Sequence, residues 1–102
     1  DISRFEQRLS AGKQLIEQKK TISSIQLFYK EEFNKERIEE FLKRADGLGK
    51  LSDIYLLPAN FGKKNGLRIV YGAYPSIEIA RSAIKDLPAR YLEAFATSIY
   101  IF

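Results

Sequence analysis

The 102-residue chain contains no cysteine and no histidine. Without thiolate or imidazole, Ser-His and Cys-His nucleophilic pairs and the usual Zn ligand sets have no members. Methionine is missing even at position 1, so the chain is expected to be a piece of a longer protein or a processed product. A signal peptide or anchor would then lie upstream. No run of about 18 uncharged apolar residues occurs, which excludes a transmembrane helix within the chain. A Gly-rich phosphate-cradling loop is also missing. Zero cysteines suit an oxidising compartment without separating it from the cytoplasm.

What is present is an ordinary globular composition, 45% hydrophobic and 29% charged, at the length of one domain. Seventeen Lys and Arg stand against thirteen Asp and Glu, a net charge of +4. The cations are interspersed with acids rather than blocked. That balance permits an anionic partner without demanding a nucleic acid.

Residues 2–20 read as a charged amphipathic helix with Phe5, Leu9, Leu15 and Ile16 near one stripe. Thr21 to Tyr29 reads as a strand, since Ile25, Leu27 and Tyr29 alternate with Ser24, Gln26 and Phe28. Asn34 is placed as an N-cap for a helix carrying Ile38, Phe41, Leu42 and Ala45, stopped at Gly47 and Gly49. Asp53 to Leu57 is the second strand. Pro58 then opens a connection ending at Lys63-Lys64 and a turn at Asn65-Gly66. Leu67 to Tyr71 is the third strand, Ser76 caps a helix stopped by Pro88, and a linker with Tyr91, Leu92 and Phe95 leads to a final strand, Ile99 to Phe102.

After residue 20 the order is β-α-β-β-α-β. That order implies an α+β split-βαβ sandwich of the RNP or ferredoxin-like kind: a four-stranded antiparallel sheet, two helices on one face, and an extra N-terminal helix. The domain reading is therefore 1–20 for the helix and linker and 21–102 for the sandwich. The other sheet face is left bare. Alternation sends Ser24, Gln26, Phe28, Arg68 and Val70 to it, with Tyr55, Phe95 and Tyr100 as further candidates. An amide, a guanidinium and several rings on an open sheet make a platform for a flat polymer. The competing expectation is that the N-terminal helix covers the rings.

Several segments together resemble the SPOR (sporulation-related repeat) domain, in its DamX-like subtype. They are Ile25 to Leu27 (IQL), Gly66 to Tyr74 (GLRIVYGAY), Ser76 to Ile84 (SIEIARSAI), Leu87-Pro88, and Arg8 to Gly12 (RLSAG) upstream. The likeness spans roughly 22–102. It implies a βαββαβ fold and non-catalytic binding of septal peptidoglycan, as glycan strands lacking stem peptides. It further implies a periplasmic or cell-envelope location and a role in targeting a larger protein to the division site. Carried over by position, Gln26 matches the family's first-strand Gln, Tyr29 stands where relatives often have Ser, and Phe95 where they often have Trp. Arg68 falls among residues lining the groove. The expected ligand-binding set is thus Gln26, Phe28, Tyr29, Arg68, Val70 and Phe95, with no catalytic residue, metal or cofactor. The sequence departs from the family at Ala94-Phe95, at Ala96 to Ser98 and at Gly72 to Tyr74.

The expected partner is the glycan strand, with no nucleic acid, a monomeric domain, and membrane contact only through regions outside the chain. Two other readings compete. One is a docking or assembly domain of a secretion or pilus system. The other is an RNA-recognition module, which wants an aromatic where Arg68 and Val70 stand. The acids of Glu31-Glu32 and of Glu36 to Glu40 read as solvated surface, and no acidic pair falls on the bare face for a glycosidase. Lys63-Lys64 reads as a solubilising hairpin tip.

Overall fold

Short-range signals set most of the element ends in the computed structural model, which describes residues 1–62 and 64–102. Helix α1 (Arg4–Gln18) starts at Ser3, whose hydroxyl accepts from the Glu6 amide at 3.1 Å. Strand β1 is Ser23–Lys30. Asn34 caps α2 (Lys35–Gly47) by accepting from the Arg37 amide. A 3₁₀ turn (Leu51–Asp53) leads into β2 (Ile54–Phe61), which pairs directly with β3 (Lys64–Tyr74). Ser76 caps α3 (Ile77–Ala83), and a second 3₁₀ turn (Ile84–Asp86) follows. Beyond Pro88 the expected linker is a short helix, α4 (Ala89–Ala94), before β4 (Ser98–Ile101).

The sheet order is β2-β3-β1-β4 with every neighbour antiparallel. This is the α+β, ferredoxin-like split-βαβ arrangement expected from the sequence, with an N-terminal helix added. One face carries the helices. Ile25 and Leu27 of β1, Ile54 and Leu56 of β2, and Leu67, Ile69 and Tyr71 of β3 meet Ile38, Phe41, Leu42 and Ala45 of α2 there. Leu87 and Tyr91 close the cluster. The layer is continuous apolar packing, the largest source of stability in such a small domain.

Two sequence expectations change. The hairpin reversal falls at Gly62, with φ 66°, and the ladder runs through Asn65 and Gly66 out to the Phe61–Lys64 pair. Gly66 is instead a point of close approach: a Cβ there would collide with the Tyr29 ring. Pro58 sits within β2, which it can do because β2 is an edge strand and needs no donor on its outer side. Lys63, half of the expected hairpin tip, lies outside the described residues.

Helix α1 is tied to the sheet's β2 edge. Glu39 of α2 accepts from the first α1 amides, Arg4 at 3.2 Å and Phe5 at 2.8 Å, satisfying donors that a helix start leaves open. Arg4 also pairs with Asp46 at 3.0 Å, and Phe5 stacks on Phe33. One turn later Arg8 donates to the Ile54 and Ser52 carbonyls, at 2.8 and 3.1 Å. At Gly12 the helix backbone lies against the Leu56 carbonyl and the Leu57 side chain, where any Cβ would collide. Unpaired backbone on an edge strand invites association with other chains. Here the helix covers it.

Candidate functional site

Strand register decides which residues share the bare face. Gln26 pairs with Val70, Tyr29 with Arg68, and Ser24 with Tyr100. Between Gln26 and Phe28 the β1–β3 register slips by one residue. That bulge puts two consecutive β1 residues on the same side. Leu27 belongs to the helix-face core, and Phe28, opposite Ile69, packs there as well.

Phe28 is therefore not on the open face. Its ring stacks on Phe95 at 5.0 Å and meets Phe41 of α2 edge-on at 5.4 Å. Phe95 likewise belongs to the helix side, with Phe41 and Tyr91 as neighbours. Alternation expects Phe28 on the bare side, and the bulge interrupts it; Phe95, a candidate there through its place before the last strand, instead ends α4 and stays on the helix side. Val70 is on the expected face, but its exposure is 0%. It is flanked in register by Tyr55 and Gln26. Leu15 and Leu57 are also buried, and with Val70 they stand outside the helix-face cluster. Beyond the edge α1 closes over the β2 side of this face, where Leu15 and Arg8 line one cleft with Tyr55 and the Arg8 guanidinium lies 5.3 Å from the Tyr55 ring centre.

What stays open is the β3-β1-β4 half. Arg68 is its centre. The guanidinium lies 4.7 Å from the centre of the Tyr100 ring and 5.5 Å from that of Tyr29, and it donates to Gln26 Oε1 at 2.5 Å. Arg68, Gln26, Tyr29 and Tyr100 are all partly exposed. Tyr100 in turn meets Phe102 edge-on at 5.0 Å. Three of the six expected site residues, Gln26, Tyr29 and Arg68, thus form one contiguous group. Tyr100, named as a candidate from β4, joins them. Phe102 was missed as a contributor; its place two residues beyond Tyr100 was the available signal.

The arrangement has a definite chemistry. Two rings and an amide oxygen fix the guanidinium, and an arginine has five N–H donors, only one of which Gln26 engages. The remaining donors form a pre-set fork for a carboxylate. The Gln26 amide nitrogen is a further donor, and the exposed portions of Tyr29, Tyr100 and Phe102 offer apolar faces. Ser24 is sealed beneath, its hydroxyl donating to the Gly72 carbonyl at 2.6 Å. Among the described residues no cluster of three acidic side chains could hold a metal ion. No family model, curated protein or solved structure matches the chain.

Proposed function

We propose that the chain is a non-catalytic carbohydrate-binding domain. In this reading the open half-face takes peptidoglycan glycan strands whose stem peptides have been removed. The observation that carries the proposal is Arg68, held between Tyr29 and Tyr100 with a donor edge free beside Gln26. Removing a stem peptide turns the lactyl amide of a muramic acid into a carboxylate and takes away bulk. Only the stripped sugar then offers an anion to the Arg68 fork. A partly desolvated charge-assisted bond of that kind is worth roughly 1–3 kcal/mol. Gln26 serves hydroxyls and N-acetyl groups, and Tyr100 and Phe102 lie against the less polar sugar faces. Intact strands are refused by loss of the charge and by the stem peptide's bulk.

The resemblance to SPOR domains supports the same reading. It extends the proposal to a periplasmic or envelope-facing location and to delivery of a larger protein to the division septum. The half-covered sheet narrows the binding strip to β3, β1 and β4. The test is sedimentation with amidase-treated sacculi. The parent chain pellets with them and Arg68→Ala and Gln26→Ala stay in solution; equal pelleting of all three proteins removes the site. An assembly domain would instead pull down a protein partner that survives glycan digestion, and an RNA binder would lose affinity steeply with added salt.

A further inference from the structure

A second concave surface lies on the opposite side of the sheet. A cleft of about 420 Å³ opens between α2, the end of β1 and the segment after α4. Its apolar lining includes Phe28, Phe41 and Phe95. Its charged lining is Lys30, Arg37 and Arg44, all three exposed, and no acidic residue lines it. None of the three cations makes an ion pair among the described residues. Two acids on α2, Glu39 and Asp46, are engaged elsewhere, holding the start of α1. The size falls within the usual range for ligand sites. Aromatic rings and arginines together are the composition of protein-recognition surfaces.

The spacing on α2 narrows the occupant. Arg37 and Arg44 are seven residues apart, which places them on one helix face about 10.5 Å apart along the axis, with Phe41 between. One small carboxylate does not span that distance. In an extended peptide, alternate side chains share a face, and residues i and i+4 lie about 13 Å apart. Two long arginine side chains absorb the difference of a few ångströms. We infer that this cleft binds an extended acidic segment of a partner protein, with an aromatic or aliphatic side chain seated on the Phe28–Phe41–Phe95 wall and a carboxylate two residues to either side facing Arg37 and Arg44. Lys30 supplies a third positive group at the β1 end. The cleft meets the glycan strip only at Tyr29, which lines it, whereas Gln26, Arg68 and Tyr100 do not.

The experiment is an amide NMR titration of the chain with the blocked peptide Asp-Ser-Phe-Ser-Asp, beside Lys-Ser-Phe-Ser-Lys and Asp-Ser-Ser-Ser-Asp, and with a five-nucleotide oligouridine. The inference expects saturable shifts at Lys30, Arg37, Arg44 and Phe95 with the first peptide and at least tenfold weaker binding of the other two. It expects the exposed-site variant Arg37→Glu/Arg44→Glu to keep its melting temperature and lose at least tenfold in affinity. It also expects Arg68→Ala to bind the peptide as the parent does, whether or not that variant binds glycan. Equal binding of the lysine peptide, unchanged affinity of the double variant, or tighter binding of the oligonucleotide at the same amides overturns the inference.

Discussion

The two faces of this sheet use arginine and aromatic residues in opposite ways. On the helix side Phe28, Phe41, Tyr91 and Phe95 pack ring against ring, and the cations stand at the rim. On the bare side a single cation, Arg68, is itself the centre, and Tyr29 and Tyr100 hold it. Mutual contacts among rings serve stability, because they remove apolar area from water on both partners. Rings around a half-exposed guanidinium serve orientation and leave donors to spare. The difference separates what holds the domain together from what it offers to a ligand.

The sharpest way to break that contrast is to truncate each centre in turn. Phe41→Ala removes a ring that touches Phe28, Tyr91 and Phe95 and should cost about 3–5 kcal/mol by urea unfolding. Arg68→Ala should cost no more than about 1 kcal/mol, since its contacts are partly solvated. Comparable losses for the two variants would mean that the bare face is structural as well.

A smaller effect tests the boundary between the faces. Gly12→Ala puts a methyl group into the Leu56 carbonyl and should lift α1 from the β2 edge at a cost of about 1–3 kcal/mol. Hydrogen exchange would then show the outer β2 amides opening more readily while the β1–β3 pairs stay protected. Loss of protection throughout the sheet would instead make α1 integral to the whole core.

The smallest effect is alkaline. Burial first, and then the nearby Asp53 carboxylate, push the Tyr71 phenol up to about 12. Its neutral form is favoured when folded. The unfolded chain ionises first, near pH 10, so stability present below that pH is lost as pH rises toward 12. Tyr71→Phe should shrink the loss without abolishing it, because burial also raises Tyr74 and Tyr91. Melting temperatures between pH 9 and 12 check this, and an identical pH dependence in the variant contradicts it.

The fold was legible because its signals are local: the Asn34 and Ser76 caps, the helix stop near Gly47, and apolar spacing from Ile38 to Ala45 all act within a few residues. The site was legible only as far as strand parity holds. From Arg68 to Val70 it does, and both residues face as expected. Across Leu27 and Phe28 it fails, since IQLFY reads equally well as clean alternation or as a bulge, and only pairing with β3 decides. The burial of Val70 was illegible for a different reason. Val70 lies on an inner strand between Tyr55 and Gln26, which only the pairing of β3 with β2 and with β1 brings to its sides. Asn65-Gly66 carries a turn signal, yet Gly66 makes room for a ring brought from β1.

The central claim is that the guanidinium on the bare face reads a free sugar carboxylate. An amide NMR titration with purified stripped glycan oligomers tests it directly. The account predicts saturable shifts at Gln26, Tyr29, Arg68 and Tyr100, which are lost when the muramic acid carboxylates are amidated. Shifts confined to α2 and Phe95, or equal shifts with the amidated oligomer, would contradict it.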